Sequence, residues 1–285
     1  MLWSKTIGFG VAGNFTGHLE QAGEASDFLD VKVSEAAAPK GIFPFYIPHD
    51  GEPGKESHFL NCMPVSSDKI ILGSLEENHQ IEPELSLSCE LVYENEKVTD
   101  IIPKLAMAHN DCSIRRAGAK KISEKKNWGP ASKGTSSQPI AIDKFAEGGV
   151  LDRCRLASFL WREGTLYPYG LDSEITGYSY FYQTLVDWLV VRMNTQRDEG
   201  PLEDIPRWIS RAGYPKEALV SVGATRYTEF GETHFLRPGD HSVVVLYDGE
   251  KWASEDIAQV ALDPKCSEYQ GLSVLNQRVE APVVR

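Results

Sequence analysis

The chain has 285 residues, 41% hydrophobic and 25% charged, so it can bury a full core and is neither disordered nor fibrous. A formal net charge of −12 argues against a dedicated nucleic-acid binder, and no apolar stretch is long enough to cross a bilayer. Five cysteines without a Cys-x-x-Cys pair, and an N-terminus without the layout of a signal peptide, point to reduced thiols in a cytoplasmic protein.

In chain order, residues 1–75 read as a loop-rich N-terminal segment with short strands, packing on the core and contributing to the mouth of a site. Residues 76–285 read as the β-rich part; no linker or repeat separates the two, so one continuous domain is expected. Residues 43–48 should be extended, because Pro44 and Pro48 push their predecessors out of the helical region. Residues 70–72 read as a buried strand. Over residues 80–93, Ile81, Pro83, Leu85, Leu87, Cys89 and Leu91 alternate with Glu82, Glu84, Ser86, Ser88 and Glu90, a strand with one apolar and one polar face.

The main helix is expected over residues 173–195, with Ser173 as N-cap and Phe181, Leu185, Trp188, Leu189 and Arg192 at helical spacing. Its aromatic residues should pack into the core. A shorter helix over residues 201–212 should be broken or kinked by Pro206. Residues 218–223 and 241–247 are strand-like. The sum is an α+β, β-rich fold without the alternation of a doubly wound sheet.

Glu82 and Glu84, two apart on a strand, leave the same face at a separation that one cation can bridge. Such a pair repels unless a positive charge sits between, and hard cations such as Mg²⁺ take oxygen ligands. A solvated strand face explains the pair equally well. Asp111 offers a third carboxylate in a polar loop. Seven basic residues follow over positions 115–133 against Glu124 alone, either a solvated loop or a local pocket for an anionic substrate.

Glu-Pro-Glu-Leu at residues 82–85 and Asn-Asp-Cys-Ser-Ile-Arg at 110–115 resemble the E-x-E-L and N-D-x-S-x-R motifs of the fumarylacetoacetate hydrolase superfamily. Further stretches keep that order. Residues 10–18 are similar to its G-x-N-Y-x-x-H, residues 128–133 to its W-x-x-x-K, residues 223–231 to its G-T-P-x-G-V-G and residues 236–240 to its L-x-x-G-D. The resemblance implies Glu82, Glu84 and Asp111 as ligands of Mg²⁺ or Mn²⁺. Lys133 would face the metal-bound substrate, Arg115 and Thr225 would hold its carboxylate or oxyanion, and His18 would be the general base. It further implies a mixed β-roll or barrel-like fold, a homodimer, and a hydrolase acting on a C–C bond of a small 2-oxo or β-diketo acid. A decarboxylase, a tautomerase or isomerase, and a catalytically quiet carboxylate-binding protein are the alternatives. One departure bears on the base: three residues after His18, where the family carries Glu, stands Gln21.

Other patterns compete. Residues 8–13 spell G-x-G-x-x-G, with Asp30 downstream, but a dinucleotide fingerprint needs a strand before it and a helix after it. The histidines, including His109, lack zinc-ligand spacing. Cys112 reads as a small buried residue.

Overall fold

The computed structural model describes residues 5–24, 28, 35, 37–48, 58–116, 118–263 and 265–283; Asp30 lies outside them. The strands are β1 (Ile7–Ala12), β2 (Gly41–Tyr46), β3 (Val65–Ser66), β4 (Lys69–Ile71), β5 (His79–Gln80), β6 (Pro83–Glu94), β7 (Lys97–Asn110) and β8 (Ser113–Ile114). They continue with β9 (Lys133–Thr135), β10 (Ile140–Ala141), β11 (Cys154–Arg162), β12 (Thr165–Glu174), β13 (Glu217–Ala224), β14 (His241–Asp248) and β15 (Leu272–Glu280). Between them lie short helices α1 (His18–Gln21) and α2 (Ser123–Lys126), the longer α3 (Tyr182–Thr195) and α4 (Ile205–Arg211), then α5 (Glu229–Thr233) and α6 (Ile257–Val260).

One sheet runs β2-β1-β13-β6-β7-β9-β3, with β10 also on β7; a second runs β12-β11-β14-β15-β4; β5 and β8 form a small third. β1 is parallel to β13 and antiparallel to β2, so both strands belong to the same sheet that carries β6. The architecture is the expected α+β, β-rich one. The period-two alternation explains the layering. Leu85, Leu87 and Leu91 of β6 meet Leu156 and Leu160 of β11 and Val244 and Leu246 of β14 in one core between the sheets. The intervening Val243 and Val245 face a second cluster with Ile257 of α6, so β14 is buried on both faces. Among the described residues no helix is long and apolar enough to cross a membrane.

The main helix begins at Tyr182, not near Ser173. Ser173 belongs to β12, paired with Leu156 of β11, and this hairpin overrides the local capping preference. From Phe181 onward the apolar spacing holds, and Leu185, Trp188, Leu189 and Met193 are buried. Pro206 does not break α4. It sits in the first turn after the Asp204 cap, where a missing N–H costs nothing.

Residues 8–13 are not a nucleotide turn: Gly8 and Gly10 lie inside β1. A Cβ on Gly8 would overlap the Phe45 ring, and one on Gly10 the Phe43 ring. The glycines let two aromatic rings lie flat on the sheet. β2, which carries those rings, is an edge strand, where Pro44 removes no ladder bond from the sheet interior.

Candidate metal centre

Glu82, Glu84 and Asp111 are all buried, and one oxygen from each lies within 4.8 Å of the others. Backbone pairing places them. Pro83 opens β6 opposite Asn110, the last residue of β7, and the Asp111 N–H donates to the Glu82 carbonyl at 3.0 Å. Asn110 accepts from the Glu82 N–H at 3.1 Å and donates to Ser242 Oγ at 3.0 Å, tying the corner to the second sheet.

Glu84 is aimed by an irregularity in β13. Between Ser221 and Ala224 three residue steps oppose only two on β6. The bulge turns the Gly223 N–H, at φ +120°, onto Glu84 Oε2 at 2.9 Å. Tyr178 braces the bulge, donating to the Gly223 carbonyl at 2.8 Å and accepting from the Leu85 N–H at 3.2 Å. Burial, with Asp111 beside it, pushes the Glu84 carboxyl well above its ordinary range.

Three cationic side chains balance the three carboxylates. Lys133 on β9 is fully buried, donates to Asp111 Oδ1 and lies 5.3 Å over the Phe45 ring. Burial lowers its pKa, partly offset by Asp111. Lys126 at the end of α2 donates to Glu82 Oε2 at 2.5 Å and to the Asp111 carbonyl at 3.2 Å, and stands 2.6 Å from Asp111 Oδ2. Its ammonium lies 5.5 Å over the Phe43 ring. The rings admitted by Gly8 and Gly10 therefore floor both lysines. Arg115 has its guanidinium shared among Gln80 at 2.5 Å, Glu24 at 2.8 Å, the Tyr227 hydroxyl at 2.9 Å and Glu82 Oε1 at 2.9 Å. Burial works against the Glu82 anion, but Lys126 and Arg115 outweigh it and hold its pKa down to about 2.

His18, at the start of α1, points Nδ1 at the Thr225 carbonyl at 2.9 Å. A carbonyl only accepts, so Nδ1 carries the proton and Nε2 keeps its lone pair. Burial lowers the imidazole pKa. The Thr225 hydroxyl itself reaches the Pro83 carbonyl at 3.4 Å. Gln21 turns away from the imidazole. Its Nε2 donates to Glu232 and to the Tyr227 carbonyl at 3.3 Å, and its Oε1 accepts from the Tyr227 N–H.

His18, Glu24, Glu82, Glu84, Asp111 and Lys126 line a cavity of about 20 Å³, room for roughly one water. All seven residues singled out in the sequence thus lie in or beside one buried cluster. The reading missed Lys126, Glu24 and Tyr178. Lys126 was visible only as one of seven basic residues, and that run divides: Lys125, Lys126 and Lys133 are buried, while Arg116 and Lys120 are exposed. His109 is a hydrogen-bonded neighbour, its Nδ1 2.7 Å from Thr135 Oγ1, and Cys112 is fully buried with its thiol pushed up to about 12.

The donor set fits a hard divalent cation: three carboxylates converge from one sheet corner. Glu82 Oε1 and Asp111 Oδ2, although close to Arg115 and Lys126, have no aligned hydrogen-bond donor among the described residues.

Several solved structures share this fold. A 2-keto-3-deoxy-D-arabinonate dehydratase complexed with magnesium and 2,5-dioxopentanoate is 13% identical, with 98% of this chain and 74% of that one covered at a TM-score of 0.53. A 5-carboxymethyl-2-hydroxymuconate delta-isomerase from Mycobacterium smegmatis is 12% identical, with 98% and 80% covered at 0.52. Cg1458 with inhibitor is 13% identical, with 97% and 77% covered at 0.54. At such identities the likeness shows the fold alone, the β-rich one that the resemblance to the fumarylacetoacetate hydrolase superfamily implies. No curated protein matches in sequence. The model of a family described as "Family of unknown function (DUF5718)" matches residues 24–279.

Proposed function

The chain belongs to that family of unknown function, and from its fold and its motifs we propose that it is a divergent member of the fumarylacetoacetate hydrolase superfamily and a divalent-metal-dependent enzyme of small 2-oxo or β-diketo acids. The observation that carries this reading is the buried triad Glu82, Glu84 and Asp111 with a neutral, oriented His18 lining the same cavity. The solved dehydratase with magnesium and a dioxo acid, and the solved isomerase, add support from the same fold.

Hydrolysis of a C–C bond is the favoured reaction. Mg²⁺ or Mn²⁺, held by the three carboxylates, would supply Lewis-acid stabilisation of the negative charge that develops on a substrate oxygen. His18 Nε2 takes a proton from water, and the Thr225 carbonyl holds the opposite edge of the ring through Nδ1–H. Lys133, desolvated and anchored by Asp111, would offer an N–H donor to the reacting oxygens. Arg115 is a positioning residue, acting through Glu82 and Glu24.

A second reading is proton transfer without water attack, as in a decarboxylase, dehydratase or isomerase. Gln21, bonded to Tyr227 and Glu232, supplies no carboxylate to stabilise an imidazolium, which weakens His18 as a base and keeps this reading and the quiet carboxylate binder open. The homodimer that the resemblance implies belongs to the same proposal, with sedimentation as its check.

The test is an assay of acylpyruvates and oxaloacetate with Mg²⁺ or Mn²⁺, products identified by mass spectrometry. Hydrolysis yields two carboxylic acids, and His18→Ala should lower its rate about 10²–10⁴-fold. Binding without turnover, unchanged in His18→Ala, would favour the quiet carboxylate binder. Glu84→Gln removes a ligand without stripping a partner from either lysine, so it tests the metal separately. Mn²⁺ affinity by calorimetry should fall at least tenfold, and unchanged affinity refutes the metal assignment.

A further inference from the structure

Lys126 has no counterpart among the residues the resemblance assigns, yet its ammonium pairs with two of the three carboxylates, where Lys133 pairs with Asp111 alone. Its ammonium contacts an oxygen of Glu82 at 2.5 Å and both the carboxylate and the carbonyl of Asp111 at 2.6 and 3.2 Å. Two of the three candidate ligands thus already share one cation. The lysine is itself buried, and the Phe43 ring under its ammonium adds a cation–π contact. Counted at formal charge, Lys126, Lys133, Lys125 and Arg115 stand against Glu82, Glu84, Asp111 and Glu24, four against four.

We propose that Lys126 is the resident cation of the triad, so that a divalent ion enters only by displacing its ammonium from Glu82 and Asp111. The reason is electrostatic and steric together. An ammonium 2.5 Å from Glu82 Oε2 and 2.6 Å from Asp111 Oδ2 takes the space beside both carboxylates that a metal at about 2.0–2.6 Å from their oxygens would need. Two positive centres that close repel strongly in a dry interior. The four-carbon stem of lysine lets the ammonium swing away while the helix stays in place. Glu24, which already accepts from Lys125 at 2.8 Å and lines the same cavity, is an anion outside the triad that can receive it. The ion-free protein is then folded and charge-balanced, and metal occupancy is set by competition within the chain.

This inference rests on the metal reading above, and calorimetry with Mn²⁺ alone separates the two. Lys126→Met should bind Mn²⁺ at least tenfold more tightly than wild type, while Lys126→Arg, which keeps a charge there, should stay as weak as wild type or weaker. Thermal melting gives a second readout without any substrate. Wild type should melt at the same temperature in EDTA and at low Mn²⁺, whereas Lys126→Met, left with unbalanced buried carboxylates, should melt lower in EDTA and recover with Mn²⁺. Lys126→Gln, which keeps an N–H for Glu82, replaces Lys126→Met where the latter does not fold, with the same expectation. Wild-type affinity equal to or above that of the uncharged variants overturns the competition while leaving the metal site standing. Absence of Mn²⁺ binding in wild type and uncharged variants alike removes the metal reading and this inference with it.

Discussion

Asn14 offers the sharpest test of how the fold holds the site. Its side chain, fully buried, accepts from the Tyr180 N–H at 2.8 Å and donates to the Tyr180 and Val222 carbonyls at 3.0 and 2.9 Å. It thereby pins the turn after β1, which leads to His18, to the bulge that aims Gly223 at Glu84. Asn14→Ala deletes three bonds and leaves one donor and two acceptors buried without that partner. At about 1 kcal/mol per net bond, with part of the desolvation cost added, the loss should be roughly 3–5 kcal/mol. That is a large share of a typical domain's total stability. Asn14→Asp is nearly isosteric but turns a carboxylate oxygen toward two carbonyls, so it should cost at least as much as alanine. Urea denaturation followed by circular dichroism measures both, provided the m-values agree. A loss below about 1 kcal/mol for alanine, or an aspartate variant as stable as wild type, refutes the reasoning.

Two other expectations concern the floor of the site and a buried acid away from it. Gly10→Ala should destabilise by about 1–3 kcal/mol, because the new methyl group must displace the Phe43 ring beneath Lys126; a neutral result in the same denaturation experiment contradicts that packing. Glu203, 5% exposed, has its carboxyl pushed by burial from an ordinary 4.5 up to about 7. The folded state therefore holds this proton more tightly than the unfolded state. Its contribution is greatest below pH 4.5 and falls away as pH rises to about 7, by at most roughly 3 kcal/mol. Glu203→Gln should flatten stability across pH 5–7, and an unchanged slope in that window would show that Glu203 is not responsible.

The strand at residues 80–93 was legible because a strict period of two is a one-dimensional signal, and it put Glu82 and Glu84 on one face before any packing was known. The motif order likewise marked Asp111, Lys133, Arg115, Thr225 and His18, all of which gather in or around one buried cluster. The start of α3 was not legible, since Ser173 is a plausible cap by itself and loses only to strand pairing with Leu156. Nor was the purpose of Gly8 and Gly10, which depends on rings from β2 more than thirty residues away. Lys126 was the least legible of all. Within a run of basic residues nothing local separates Lys126 at the triad from exposed Lys120; only the placement of α2 decides which ammonium is buried against Glu82 and Asp111. Residue types and their order along the chain determined which carboxylates could meet. Tertiary structure decided which cation meets them, because burial and charge pairing are properties of neighbours brought together from distant parts of the sequence.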